Sequence, residues 1–124
     1  ITRSGAVYHC NGDAHGIPMS YFEQMREQLI GAHVTHNHPP LALENDYTFS
    51  NEDFGLFTGF KLARLRGIDS QFLYELNRNA ADLDFEELSF GELAKLMAGE
   101  IKDAHRFVGM KAKLEGVGYK RWLR

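Results

Sequence analysis

The chain has 124 residues, enough for one hydrophobic core but not two. Hydrophobic residues make up 44% and charged residues 25%, an ordinary globular balance, and the net charge of -3 without a basic stripe gives nucleic-acid binding no electrostatic support. The single cysteine, Cys10, excludes an intrachain disulfide, and no apolar run is long enough to span a membrane. The opening Ile1-Thr2-Arg3-Ser4-Gly5 has no signal-peptide character. A start at Ile rather than Met reads as one domain, residues 1–124, excised from or processed out of a longer protein.

In chain order, Gly5–Cys10 reads as a short strand and Asn11-Gly12-Asp13 as a tight turn. Ser20 and Glu23 have the spacing of a capping box, Phe22, Met25, Leu29 and Ile30 recur at helical spacing, and Gly31 ends that helix. Ala32–His38 favours a strand, stopped by Pro39-Pro40. Leu41–Phe49 shows no period. Ser50 then opens a second helix whose apolar stripe runs through Phe54, Phe57, Phe60 or Lys61, and Leu65, with Gly67 as the residue just past its end. Phe72, Tyr74 and Leu76 alternate as a strand. Ser89 and Glu92 form another capping box, and Leu93, Met97, Ile101, Ala104 and Val108 predict one long helix to about Lys113. Gly116–Arg124 reads as a basic aromatic tail. Strand, helix, strand, helix, strand and long helix predict a small α/β sandwich.

His36 and His38 stand two apart, so on a strand both imidazoles face one side and Asn37 the other. A catalytic metal site needs a third ligand and keeps a further position open, and Asp53, in the first turn of the next helix, can supply that ligand. Two histidines and a carboxylate suit Zn²⁺, with iron or manganese as alternatives. The same residues have a plainer reading. A histidine pair on a strand is also compatible with a structural or surface role. Ser50-x-x-Asp53 is also a complete helix start, with Ser50 as N-cap and Asp53 favourable to the helix dipole.

Thr35-His36-Asn37-His38-Pro39 followed by Ser50-Asn51-Glu52-Asp53 resembles the motif of JAMM (JAB/MPN) metalloproteases: His-x-His, a gap, then Ser-x-x-Asp. The His-Asn-His-Pro form is similar to RadC-like proteins. The longer string from Gly31 to Pro39 with Phe49–Asp53 resembles domains attached to phage minor head (Mu F-like) proteins and polymorphic-toxin modules. The resemblance covers roughly Gly5 to Leu76 and, more faintly, the Gly118-Tyr119-Lys120-Arg121 tail. It implies a cytidine-deaminase-like sandwich with a central mixed sheet flanked by helices, to which the long C-terminal helix is added. It implies one Zn²⁺ on His36, His38 and Asp53, oxyanion stabilisation by Ser50, and hydrolysis of a peptide or isopeptide bond. The implied setting is the cytoplasm of a bacterial or phage-infected cell, or delivery within a phage or toxin protein, with an immunity or inhibitor protein as partner in the toxin case.

The sequence departs from that pattern twice. The family uses a Glu as general acid/base on a strand before the first helix, and Ile1–Cys10 contains none. Three accounts stay open: the Glu lies upstream of Ile1, Glu23 or Glu27 has taken over, or the domain binds metal without hydrolysis. The segment from Pro39 to Phe49 is also longer than usual, and its Glu44, Asp46 and Tyr47 read either as a substrate loop or as a plain surface insertion. His33 is odd in spacing from His36 and should face away. His9 and His15 flank a turn, and Cys10 beside His9 points to the opposite face of a strand, which argues against a Cys-His nucleophile pair. His105 reads as a packed histidine. Lys111, Lys113, Lys120, Arg121 and Arg124 are the one feature that would favour a phosphate-bearing partner, and so a nuclease-type target for the same metal site.

Overall fold

The computed structural model describes residues 1–9, 19–37, 48–79 and 89–124. Its elements are α1 (Met19–Gln24), α2 (Arg26–Leu29), β1 (His33–Asn37), α3 (Asn51–Gly59), β2 (Arg64–Ile68), β3 (Phe72–Asn77), α4 (Phe90–Met97), α5 (Ala104–Leu114) and β4 (Gly118–Leu123). The four strands form one mixed sheet in the order β1-β2-β3-β4. β1 runs parallel to β2, with α3 in the crossover between them, and the other two pairings are antiparallel. This is a small α/β domain. No helix among the described residues is long and apolar enough to cross a membrane.

Strand alternation decides which side chains meet. Val34 and His36, Leu65 and Gly67, Tyr74 and Leu76, and Tyr119 share one face through the register of the ladders. The core forms there: Phe54 and Phe57 from α3 and Val108 and Ala112 from α5 join Leu65, Tyr74 and Leu76 in one buried cluster. Tyr74, Phe54, Phe57, Leu62, Leu65 and Leu76 are fully buried, each contributing roughly 1.5–3 kcal/mol on removal from water. On the opposite face, Glu75 is buried and its Oε1 accepts from Arg66 Nε at 2.7 Å, with Arg64 Nε at 3.1 Å.

Several expectations need correcting. Residues 5–9 form no strand. Instead Gly5 N–H donates to the Thr2 carbonyl and Thr2 N–H to that of Ala6, which closes a turn, and Ile1 exchanges two backbone hydrogen bonds with His33. Ser20 lies inside α1 rather than capping it, and Glu23 instead holds Arg26 through both carboxylate oxygens. The helix from Ser50 stops at Gly59, not near Gly67. Leu62 N–H bonds back to the Phe57 carbonyl and Lys61 takes a left-handed φ of 54°, so the chain closes a Schellman-type end and re-emerges as β2. Leu65 belongs to that strand.

The predicted long C-terminal helix is two helices. Gly99, at φ +69°, ends α4, Glu100 N–H bonds to the Lys95 carbonyl, and Asp103 caps α5 by accepting from Arg106 N–H. The tail is a strand, β4. Two of the tail's cations are held at the surface: Arg121 lies 4.1 Å over the Phe72 ring and Arg124 donates to the Asp69 carbonyl. The Asn11-Gly12-Asp13 turn, Cys10 and His15 lie outside the described residues.

Candidate metal centre

Two of the three expected ligands meet. His36 sits on the core face near the end of β1 and Asp53 in the first turn of α3, and His36 Nε2 stands 3.2 Å from Asp53 Oδ1. Both side chains are about one-sixth exposed, at 17% and 16%, so the pair is largely buried but still reaches solvent. Asn37 and His33 point to the other face and are exposed, as their spacing requires. His38, the third expected ligand, lies outside the described residues, as do Glu44, Asp46 and Tyr47. Among the described residues no three His, Cys, Asp or Glu side chains gather as a metal-binding group.

Local chemistry fixes the carboxylate. Ser50 is the N-cap of α3 and the capping box is complete: Asp53 N–H donates to Ser50 Oγ at 3.2 Å, and Ser50 N–H donates to Asp53 Oδ2 at 2.8 Å. The Ser50 hydroxyl also donates to Oδ2, at 3.0 Å. Oδ2 is therefore held by two donors while Oδ1 is turned toward His36. The capping bonds are also the ones that turn the Asp53 carboxylate toward His36, so the plain helix-start reading of Ser50-x-x-Asp53 does not compete with a site there.

The separation of the pair is chemically informative. Tetrahedral Zn²⁺ with ligand bonds of about 2.0 Å holds neighbouring donors roughly 3.3 Å apart. The 3.2 Å between Nε2 and Oδ1 thus suits a direct hydrogen bond or, with little rearrangement, a shared ion.

The surroundings include residues that the motif did not flag. Phe49 packs 6.2 Å from the His36 ring and 4.8 Å, edge-on, from that of Tyr74. Just before it, Thr48 is buried and its hydroxyl lies 2.5 Å from the Tyr119 hydroxyl, which lies 2.8 Å from His105 Nδ1. This chain ties the entry to α3 onto α5 and β4. Burial pushes the Tyr119 phenol up to about 12. Burial, then the charge of Arg121, lowers His105 below the ordinary histidine value. His105 is therefore a packed histidine with a polar partner. No local pattern in the sequence announces this chain, because its members come from three distant segments. Glu23 and Glu27, weighed as acid/base substitutes, are both exposed on α1 and α2.

No protein-family model matches the chain, and no curated protein or solved structure matches it.

Proposed function

We propose that this chain is a zinc-dependent hydrolase of the JAMM kind, acting on a peptide or isopeptide bond. The observation that carries the reading is the 3.2 Å approach of His36 Nε2 to Asp53 Oδ1, on the two elements that the His-x-His and Ser-x-x-Asp resemblance requires. His36, His38 and Asp53 would hold the ion. When bound, Zn²⁺ supplies Lewis-acid polarisation of a carbonyl and acidifies water near neutral pH.

The chain's own residues do the rest. Ser50 orients Asp53 through the two bonds to Oδ2, and the oxyanion role that the resemblance gives its hydroxyl would have that hydroxyl turn from Oδ2 to the substrate. Phe49 packs beside His36 and shields that side of the pair. A protein or peptide is the substrate class this reading implies. The resemblance extends it to a phage- or toxin-borne protein. Arg121 is engaged by the Phe72 ring and Arg124 by the Asp69 carbonyl, so neither arginine by itself argues for a nucleic acid.

The test is hydrolysis of peptide and isopeptide-linked substrates by the zinc-loaded chain, with and without chelator. Chelator-sensitive cleavage that disappears in His36→Ala supports the reading. A chain that holds zinc and cleaves neither substrate is a metal-binding domain without hydrolase activity, and the hydrolase reading fails.

A further inference from the structure

We infer that the Thr48–Tyr119–His105 chain is an acid-released latch, which holds the entry to α3, and with it the Ser50 cap of Asp53, against α5 and β4 until His105 takes up a proton. The latch is a device of the fold itself. Its effect on function rests on the reading proposed above.

Burial sets the polarity of the chain. Thr48 is 3% exposed, and among the described residues its hydroxyl has one partner, the Tyr119 hydroxyl at 2.5 Å. The Thr48 O–H therefore donates to the Tyr119 oxygen. The Tyr119 O–H in turn donates to His105 Nδ1, 2.8 Å away, which accepts it on a lone pair. In that order each hydroxyl hydrogen has an acceptor, and only a neutral His105 permits it. A protonated His105 carries a hydrogen on Nδ1 and becomes a donor. Three hydrogens then compete for two links, so one buried hydroxyl is left without an acceptor or the chain parts.

The groups around His105 keep the latch closed near neutral pH. His105 lies in the first turn of α5, just after the Asp103 N-cap, where a cation opposes the helix dipole. Burial, then Arg121 from β4, disfavour the charged ring, and Asp103 favours it. Tyr119 from β4 and Thr48 from the α3 entry complete the set, and neither is charged near neutral pH.

What the latch holds is the segment that carries the site. Phe49, the residue after Thr48, is buried with its ring 6.3 Å from that of Tyr119, 4.8 Å from that of Tyr74 and 6.2 Å from that of His36. Ser50 follows, caps α3 and orients the Asp53 carboxylate. Opening at Thr48 therefore loosens the packing around the His36–Asp53 pair from a trigger on a different helix.

The experiment is an NMR pH titration of the metal-free chain as wild type, Tyr119→Phe and His105→Gln. It follows the ring protons of His105 and His36 and the amides of Thr48, Ser50 and Asp53. In the wild type the three amides are expected to shift with the midpoint of the His105 ring, which lies below 6.5. Tyr119→Phe keeps the ring and removes the hydroxyl. There His105 should still titrate, at a higher midpoint because its neutral form has lost a donor, while the amides lose that response. His105→Gln should abolish the response with the fold retained. Amides that follow only the His36 ring in the wild type, or that keep the wild-type response in either variant, overturn the latch. If Tyr119→Phe does not fold, His105→Gln decides alone. Zinc uptake is measured separately: a chain that takes up none overturns the metal reading and leaves the latch standing.

Discussion

His36 Nε2 and Asp53 Oδ1 stand 3.2 Å apart, joined across the parallel crossover from β1 to α3. The carboxylate is not free to choose this position. Ser50 holds its other oxygen through a backbone N–H and a hydroxyl. Replacing Ser50 with Ala should therefore do two things at once. Loss of the N-cap should destabilise the fold by about 1 kcal/mol, read by urea unfolding. Zinc affinity should fall about 10-fold, because Oδ2 loses an orienting donor. A Ser50→Ala protein with reduced stability and unchanged affinity would show that the box is only a cap.

Gly67 is demanded by Tyr74. Gly67→Ala should destabilise by about 1–3 kcal/mol, since the new methyl meets the ring at van der Waals overlap. The same substitution in a Tyr74→Ala background should be far less damaging. The coupling is read from a double-mutant cycle of unfolding free energies. Additive effects would contradict the packing described here.

Much of this was legible in local sequence and some was not. The start of α3 at Ser50 and of α4 at Ser89 could be read because a capping box is complete within four residues. β1 and β3 were legible from their alternation. The end of α3 was not, because the residue in the left-handed turn is Lys61 and not a glycine, and because Leu65 fits a helical stripe as well as it fits β2. The break at Gly99 was hidden by Leu93, Met97 and Ile101, whose spacing continues across it by coincidence. β4 reads in the sequence only as a basic aromatic tail, because no local pattern announces that Lys120 and Arg121 stack on aromatic rings. In the site, His36 and Asp53 were visible as a motif. The packing of the Tyr74 ring over Gly67 was not, because it depends on a glycine in the neighbouring strand.

Glu75 neutralises two arginines on the far face of the sheet. Its side chain is 5% exposed, whereas those of Arg64 and Arg66 are 27% and 47% exposed. Glu75→Gln should destabilise by about 1–3 kcal/mol, less than loss of one partner from a fully buried pair, because water shares the work of solvating both guanidinium groups. The unfolding midpoint in urea measures it. A neutral effect would mean that the cluster is dispensable.

The Thr48–Tyr119–His105 chain predicts the shape of the stability curve at both ends of the pH range. His105 is held below its ordinary value of 6.5, so the unfolded chain takes up its proton first as pH falls. The stability it contributes is present above pH 6.5 and is lost as pH drops through its lower folded value. Tyr119 is raised from 10.0 to about 12, so the unfolded chain loses its proton first as pH rises. That contribution is present below pH 10 and is lost between pH 10 and about 12. His105→Gln should flatten the acid slope of unfolding free energy against pH, and Tyr119→Phe the alkaline slope. Slopes unchanged in both variants would contradict the chain.

The central claim is that His36 and Asp53 are two ligands of one ion. Its most direct measurement is the zinc content of the purified chain after dialysis against Zn²⁺ and then against metal-free buffer, for wild type, His36→Ala and Asp53→Ala. The account predicts about one zinc per wild-type chain, in line with a single structural or catalytic site, and almost none in either variant while both remain folded. Zinc absent from the wild type, or held as tightly by His36→Ala and Asp53→Ala, would contradict it.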